Sequence, residues 1–260
     1  MIDVDQDWWM KIFDETYLIT DARSVCDDTL TRREVDFLEQ NLNLEKSSPV
    51  LDLCGGQGRH SLELSRRGFQ NVTVLDFSEV LVRLGEERAR KEGLNTLFIK
   101  NDARGTDLPG GRFEIIIVMA SSFGYFVEES ENEKILCEAH RLLRPMGTLL
   151  LDLPNRAFVI ENFKPQSWHE ANEDTVVCRQ RRLEEEILYC REVVVSKQKG
   201  LVRDGTYCIR LYTPEKITAM LSSAGFDDVT TQENFSSHDG NGDYGCMTNR
   251  LIVTARRSGE

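Results

Sequence analysis

Pro49 to Ser61 reads PVLDLCGGQGRHS. The apolar residues Val50, Leu51 and Leu53 enclose Asp52, the chain then passes through Gly55, Gly56 and Gly58, and a helix-like pattern begins at Ser61, Leu62 and Leu64. This is a strand, a tight glycine turn and a helix start. Glycines accept positive φ and let a ligand approach the main chain, while the first turn of a helix offers unpaired N–H groups to an anion. A nucleotide-like ligand is the first expectation, with a plain βα turn as the alternative. A dinucleotide loop fits poorly: read from Gly56, the third glycine of G-x-G-x-x-G is Ser61. Asp52 would repel a pyrophosphate but accept hydrogen bonds from an ammonium group, which favours a ligand with a zwitterionic amino-acid end.

The 260 residues suffice for one large α/β domain or a core with a smaller insertion. A hydrophobic content of 40% supports a packed core, and a formal net charge of −12 argues against a nucleic-acid partner. Arg179 to Arg182 is a local basic piece that alternates with acids and reads as a solvated strand face. Seven scattered cysteines without a C-x-x-C pair, and four histidines without ligand spacing, suggest reduced thiols and no metal site. No apolar run approaches the roughly 18 residues of a membrane span, and the acidic start does not resemble a signal peptide. A cytoplasmic location with no membrane partner is expected.

Further along, the glycine turn leads into a helix ending at Gly68, and NVTVLDF (71–77) reads as a buried parallel strand. That strand ends in Asp76, about 20 residues beyond Gly56, the place where an acid accepts the hydroxyls of a ribose. Ser78 N-caps the next helix, which stops at Gly93. TLFIK (96–100) is a third strand, followed by Asn101-Asp102-Ala103. FEIIIVMA (113–120), the most apolar strand, runs into Ser121-Ser122-Phe123-Gly124-Tyr125, outside the strand ends where open α/β sheets bind ligands. An amphipathic helix over 131–143, the turn Arg144-Pro145-Met146-Gly147 and the strand TLLLDLP follow. From Trp168 to Tyr212 charged and apolar residues alternate, as in antiparallel strands with one wet face, with Lys199-Gly200 and Asp204-Gly205 as turn signals. Thr213-Pro214 caps a helix, and 228–235 with 251–255 reads as an antiparallel hairpin at the sheet edge.

The D-x-G-x-G-x-G-like turn (Asp52, Cys54, Gly56, Gly58), the acids at the next two strand ends and the helix, L-x-P-x-G turn and strand resemble the class I S-adenosylmethionine-dependent methyltransferases. Cys54 stands where the family has its first glycine, a small-for-small change. SSFGYF, Asn155-Arg156, SWHE (167–170) and RLYT (210–213) look like a small-molecule subgroup with relatives among the amino-sugar N-methyltransferases. The resemblance implies an α/β fold: a doubly wound, seven-stranded Rossmann-like sheet with an antiparallel β insertion after the fifth strand. It divides the chain into an N-terminal aromatic lid (1–28), a cofactor-binding core (29–160 and 213–260) and the insertion (161–212), which serves as substrate cover or dimer contact.

It implies S-adenosyl-L-methionine as cofactor and S-adenosyl-L-homocysteine as product. The cofactor set is Asp52, Cys54, Gly56, Gly58, Arg59 and His60 around the amino-acid end, Asp76 and Phe77 at the ribose, Asp102 and Ala103 at the adenine, with Met119 and Ser121 beside the sulfonium. The substrate-pocket candidates are Tyr17, Ser122, Phe123, Tyr125, Trp168, Arg210 and Tyr212. Positioning carries much of such a reaction without a dedicated catalytic residue; His169 and His238 are the candidate bases should the acceptor need to lose a proton. The implied activity is methyl transfer to N or O of a small molecule, with C ranked behind. An RNA or protein methyltransferase and a non-catalytic cofactor-binding protein are the alternatives. Strand edges of the insertion offer contacts for a homodimer.

Overall fold

A computed structural model of the chain describes residues 2–238 and 247–259. Its centre is β1 (Val50–Leu53), four residues all buried, paired in parallel on one side with β2 (Val72–Asp76) and on the other with β4 (Phe113–Val118). β3 (Leu97–Lys100) closes one edge beside β2. Beyond β4 come β5 (Leu143–Pro154), β11 (Arg250–Arg257) and β10 (Phe226–Phe235), giving the order β10-β11-β5-β4-β1-β2-β3. The last two strands are antiparallel to their neighbours, so the expected edge hairpin is present. Part of its connecting loop, with Cys246, lies outside the described residues.

Local chemistry starts and stops the helices where expected. Gly58, at φ +71°, occupies the N-cap of α5 (Arg59–Arg66). The Ser78 hydroxyl accepts the Leu81 N–H at the start of α6 (Glu79–Glu92), and Gly93 ends that helix at φ +68°. α7 (Glu129–Leu142) covers β4 and β5, and Thr213 caps α9 (Pro214–Ser223) with proline at its first position.

The N-terminal segment folds as three short helices, α1 (Trp9–Ile12), α2 (Glu15–Thr20) and α3 (Ala22–Val25), ahead of α4 (Asp28–Asn41). Trp8 and Trp9 are buried: Trp8 meets Tyr125 edge-on at 5.3 Å between centroids, and Trp9 meets Phe77 at 4.5 Å. After β5 the short α8 (Arg156–Glu161) leads into a separate antiparallel sheet, β6 (Gln166–Glu170), β7 (Thr175–Glu184), β8 (Ile187–Ser196) and β9 (Gly200–Arg210), in that order. Asp204-Gly205 is not a turn. β9 runs straight through it, because Asp204 pairs with Arg191 across the ladder at 2.5 Å; the tight turn is Glu185-Glu186, with Glu185 at φ +53°.

Candidate cofactor groove and acceptor cavity

Three connected hollows lie outside the C-terminal ends of β1, β2, β3 and β4. The first runs along the glycine turn and is walled by Cys54, Gly56, Arg59, His60, Asp76, Met119 and Ala120. The second continues over Phe77, Asp102 and Ala103. Both share Phe13, Cys54, Asp76, Ser122 and Tyr125, so they form one groove bent at Asp76.

Each part of the groove wall has a physical reason. Cys54 takes φ +61° and Gly56 φ +57°, folding the chain back so that the Gly56 N–H reaches Asp76 Oδ2 at 2.8 Å. The cysteine is therefore not an even exchange for glycine, since a side chain at positive φ costs free energy. A Cβ on Gly55 would lie 2.6 Å from Asp52 Cγ, and one on Gly58 2.8 Å from the Phe98 ring, so the turn packs directly on its supports. Gly58 and Asp52 stand behind the turn rather than on the groove wall. Asp52 is fully buried, accepts the Ser61 hydroxyl at 2.8 Å and is raised to about 7 by burial.

Burial also raises Asp76, against the pull of the Ser78 and Gly56 N–H groups at its two oxygens. Those contacts aim the carboxylate along the groove. For Asp102 burial works upward, but Arg104, which grips both its oxygens, brings it below the ordinary range.

The helix start carries a buried network. Arg59 pairs with Glu34, and its Nη1 donates to Thr31 Oγ1 at 3.1 Å. His60 Nε2 lies 2.9 Å from the same carboxylate oxygen, Glu34 Oε2. Arg250, fully enclosed, joins Glu34 at 2.6 Å to Asp152 at 2.5 Å. Asp152 Oδ2 in turn accepts the Ala120 N–H at 2.9 Å, and its main-chain oxygen accepts that of Ser121 at 3.0 Å. Ala120 and Ser121 both hold left-handed backbone, φ +57° and +60°. Strain of this kind persists only where surroundings impose it, and here the Asp152–Arg250 pair does so.

Burial opposes ionisation of Glu34, yet Arg59 and Arg250 outweigh it and hold its carboxyl well below the usual range. Burial and the neighbouring Arg59 press His60 down to about 4. One atom on this wall is left over: Arg59 Nη2 is buried with no hydrogen-bond partner among the described residues. An unsatisfied guanidinium nitrogen beside a glycine turn, with a ribose-competent carboxylate at Asp76, fits the carboxylate and sugar of S-adenosylmethionine.

The third hollow, of about 160 Å³, opens from the first at Phe13, Tyr17, Val25, Ala120 and Tyr125. Its walls come from the N-terminal segment (Trp8, Ile12, Asp21), from Ser121, and from the facing side of the antiparallel sheet (Arg179, Arg181, Leu188, Cys190, Glu192, Tyr207, Ile209). The sheet is laced to the β4–α7 loop: the Arg210 N–H donates to the Gly124 carbonyl at 2.7 Å, and the Cys208 thiol lies 3.5 Å from the Tyr125 carbonyl oxygen, which also accepts from Trp8 Nε1 at 3.3 Å.

Several expected residues lie elsewhere. Phe123 and Tyr212 pack on each other inside the main core, where both rings are withdrawn from solvent and from the hollows. Trp168 is 70% exposed on edge strand β6. Arg210 lines none of the three hollows and is engaged instead with Glu186 and the Val127 carbonyl. His169 is tied to the Thr20 carbonyl at 3.2 Å and lowered by burial. His238 is lowered by burial and by Arg250, beside Glu34. Neither histidine lines any of the three hollows among the described residues, so neither is placed as a base. Conversely, Arg179 is no solvated strand residue. It is enclosed between Asp21 at 2.9 Å and Glu192 at 2.8 Å. The alternation in 179–192 was a legible signal for one shared face, but not for which face turned inward.

Residues 50–147 match the family model described as "Methyltransferase domain". A curated relative, the glycine/sarcosine N-methyltransferase of Halorhodospira halochloris, is 30% identical over 136 residues, 52% of this chain and 50% of its own length. The chain thus spans half the length of that relative. Among solved structures, the CcbJ methyltransferase from Streptomyces caelestis superposes with a TM-score of 0.75 at 16% identity, covering 96% of this chain and 99% of its own. CalS10 from Micromonospora echinaspora, an amino pentose methyltransferase solved with S-adenosylmethionine bound, gives 0.62 at 17% identity over 88% and 90%. Residues 50–147 are thus similar to a methyltransferase domain, and the chain as a whole shares the fold of these solved methyltransferases, with the strand order and the glycine turn at the head of its groove.

Proposed function

We propose that this chain methylates a nitrogen atom of a small-molecule amine. The carrying observation is the hollow of about 160 Å³ that meets the cofactor groove at Tyr17, Ala120 and Tyr125. A space of that size, roofed by the N-terminal segment and the antiparallel sheet, suits a small acceptor better than a nucleic-acid or protein chain. When bound, S-adenosylmethionine supplies an activated methyl group.

The chain's own residues then bind, orient and exclude water. Arg59 and Asp76 hold the cofactor's carboxylate and ribose, Asp102 and the Ala103 backbone its adenine, and Ser122 with Met119 borders the groove near the junction. Trp8, Phe13 and Tyr125 keep the junction dry, which strengthens polar contacts inside it. Among the described residues at the junction none is a ready base: burial raises both Tyr17 and Tyr125, so neither phenol ionises readily. A neutral amine needs none, whereas a hydroxyl acceptor does. The glycine/sarcosine relative supports the same preference for nitrogen.

The test is calorimetry with S-adenosylhomocysteine followed by a methyl-transfer assay on a panel of primary and secondary amines, alcohols and RNA. Binding of the product and turnover of amines alone is expected. Turnover of RNA or of alcohols in preference to amines refutes the reading, and a protein that binds the product but turns over nothing is a non-catalytic binder.

A further inference from the structure

We propose that the acceptor carries an oxyanion, a carboxylate or a phosphate, and that Arg181 holds it. This rests on the methyl-transfer reading of the cavity. Four formally charged side chains line that cavity: Asp21, Arg179, Glu192 and Arg181. Asp21, Arg179 and Glu192 pair with one another, and Arg203 offsets the second acid. Arg179 bridges Asp21 at 2.9 Å and Glu192 at 2.8 Å, and Arg203 reaches Glu192 from behind at 3.4 Å. Arg181 is different. Its contacts are the Ser167 hydroxyl at 2.9 Å and the Lys164 carbonyl at 3.5 Å, both neutral, and among the described residues it pairs with no carboxylate.

A guanidinium has five N–H donors in a planar fork suited to two oxygens of one anion. Arg181 engages its acceptors through Nη1, which leaves the Nη2 and Nε donors for a ligand. Its neighbours on the cavity wall include Leu188, Ile209 and Cys190, the last directly opposite it in the ladder. Arg181 is half-buried, and the apolar part of its surroundings strengthens a charge-assisted hydrogen bond to an entering anion relative to one at a fully solvated arginine.

The location also gives direction. Arg181 borders the acceptor cavity and not the cofactor groove, so the oxyanion sits away from the transferred methyl group. At the other end the two acids are already paired, Asp21 with Arg179 and Glu192 with Arg179 and Arg203. Among the described residues that line the cavity, no unpaired carboxylate is left to hold the amine as an ammonium ion, and the nitrogen keeps its lone pair. The acceptor therefore has three parts: an amine toward Tyr125, an apolar body against Trp8 and Leu188, and an oxyanion at Arg181.

The test uses protein loaded with S-adenosylhomocysteine and titrates phenylacetate, phenyl phosphate and 2-phenylacetamide by calorimetry. At least one anion should bind tenfold or more tightly than the amide, and which one does so distinguishes carboxylate from phosphate. Arg181→Met should bring that anion and the amide within twofold of each other with the affinity for S-adenosylhomocysteine unchanged, and Arg181→Lys should restore part of the preference. Should the methionine variant fail to fold, Arg181→Gln, which keeps a donor to Ser167, serves in its place. Equal binding of amide and acids, binding of neither acid, or a preference that survives both neutral substitutions overturns the inference. A protein that does not bind S-adenosylhomocysteine in the first titration refutes the parent reading instead.

Discussion

At His60 the site's electrostatics reduce to one side chain held neutral between a carboxylate and two arginines. Burial and the Arg59 charge lower it from 6.5 to about 4. The sign follows from which state takes up the proton. Below 6.5 the unfolded chain binds it while the folded one does not, so stability present above pH 6.5 is lost as the pH falls toward 4. At about 1.4 kcal/mol per unit the full loss is on the order of 3 kcal/mol. Asp52 and Asp152, raised by burial to about 7 and about 6, act oppositely: their contribution is full below 3.8 and fades as the pH rises through those values. The histidine's part is therefore read as a difference. Denaturant unfolding of wild type and His60→Gln at pH 7 and pH 5 should show wild type losing about 2 kcal/mol relative to the variant over that interval. A difference independent of pH refutes the assignment. Arg250 belongs to the same scale, since one buried guanidinium links the wall formed by Arg59 and His60 to the strained Ala120-Ser121 turn.

Among the elements, α6 shows how the glycine turn is supported from behind. Gly85 sits mid-helix, where helix propensity favours alanine by about 1 kcal/mol. Yet a Cβ there would lie 2.2 Å from the Phe98 ring and 2.8 Å from the Gln57 carbonyl oxygen of the turn itself. Packing outweighs propensity, because the helix axis is held this close only without a side chain. Gly85→Ala is expected to destabilise by about 1–3 kcal/mol despite its better propensity, and to weaken S-adenosylhomocysteine binding by moving Gln57 and Gly56. Thermal unfolding and calorimetry on one preparation check both, and a stabilised variant refutes the argument.

For the whole molecule the decisive arrangement is three parts distant in sequence closing over one set of strand ends. Trp8 touches all of them, through Phe13 of its own segment, Tyr125 after β4 and Tyr207 of β9. Trp8→Ala should cost about 3–5 kcal/mol of stability. It should also raise the KM for the acceptor more than that for S-adenosylmethionine, since Trp8 lines the acceptor cavity and not the groove. An equal rise in both would remove Trp8 from the acceptor wall.

What PVLDLCGGQGRHS and the two following strand ends determined by themselves was the doubly wound sheet and the kind of cofactor, because strand, turn and helix start are local in sequence and each acid falls at a strand terminus. Even the antiparallel insertion was legible from its alternation. Its function was not, since a period of two separates the faces of a strand but does not say which is covered. Arg179 and Arg181 turn inward only because the N-terminal helices and the Tyr125 loop occupy that side, while Trp168 on the edge strand is left outside. The tertiary structure likewise took Phe123 and Tyr212 into the core and drew Glu34, Asp152 and Arg250 into one buried network, pairings that no local pattern encodes.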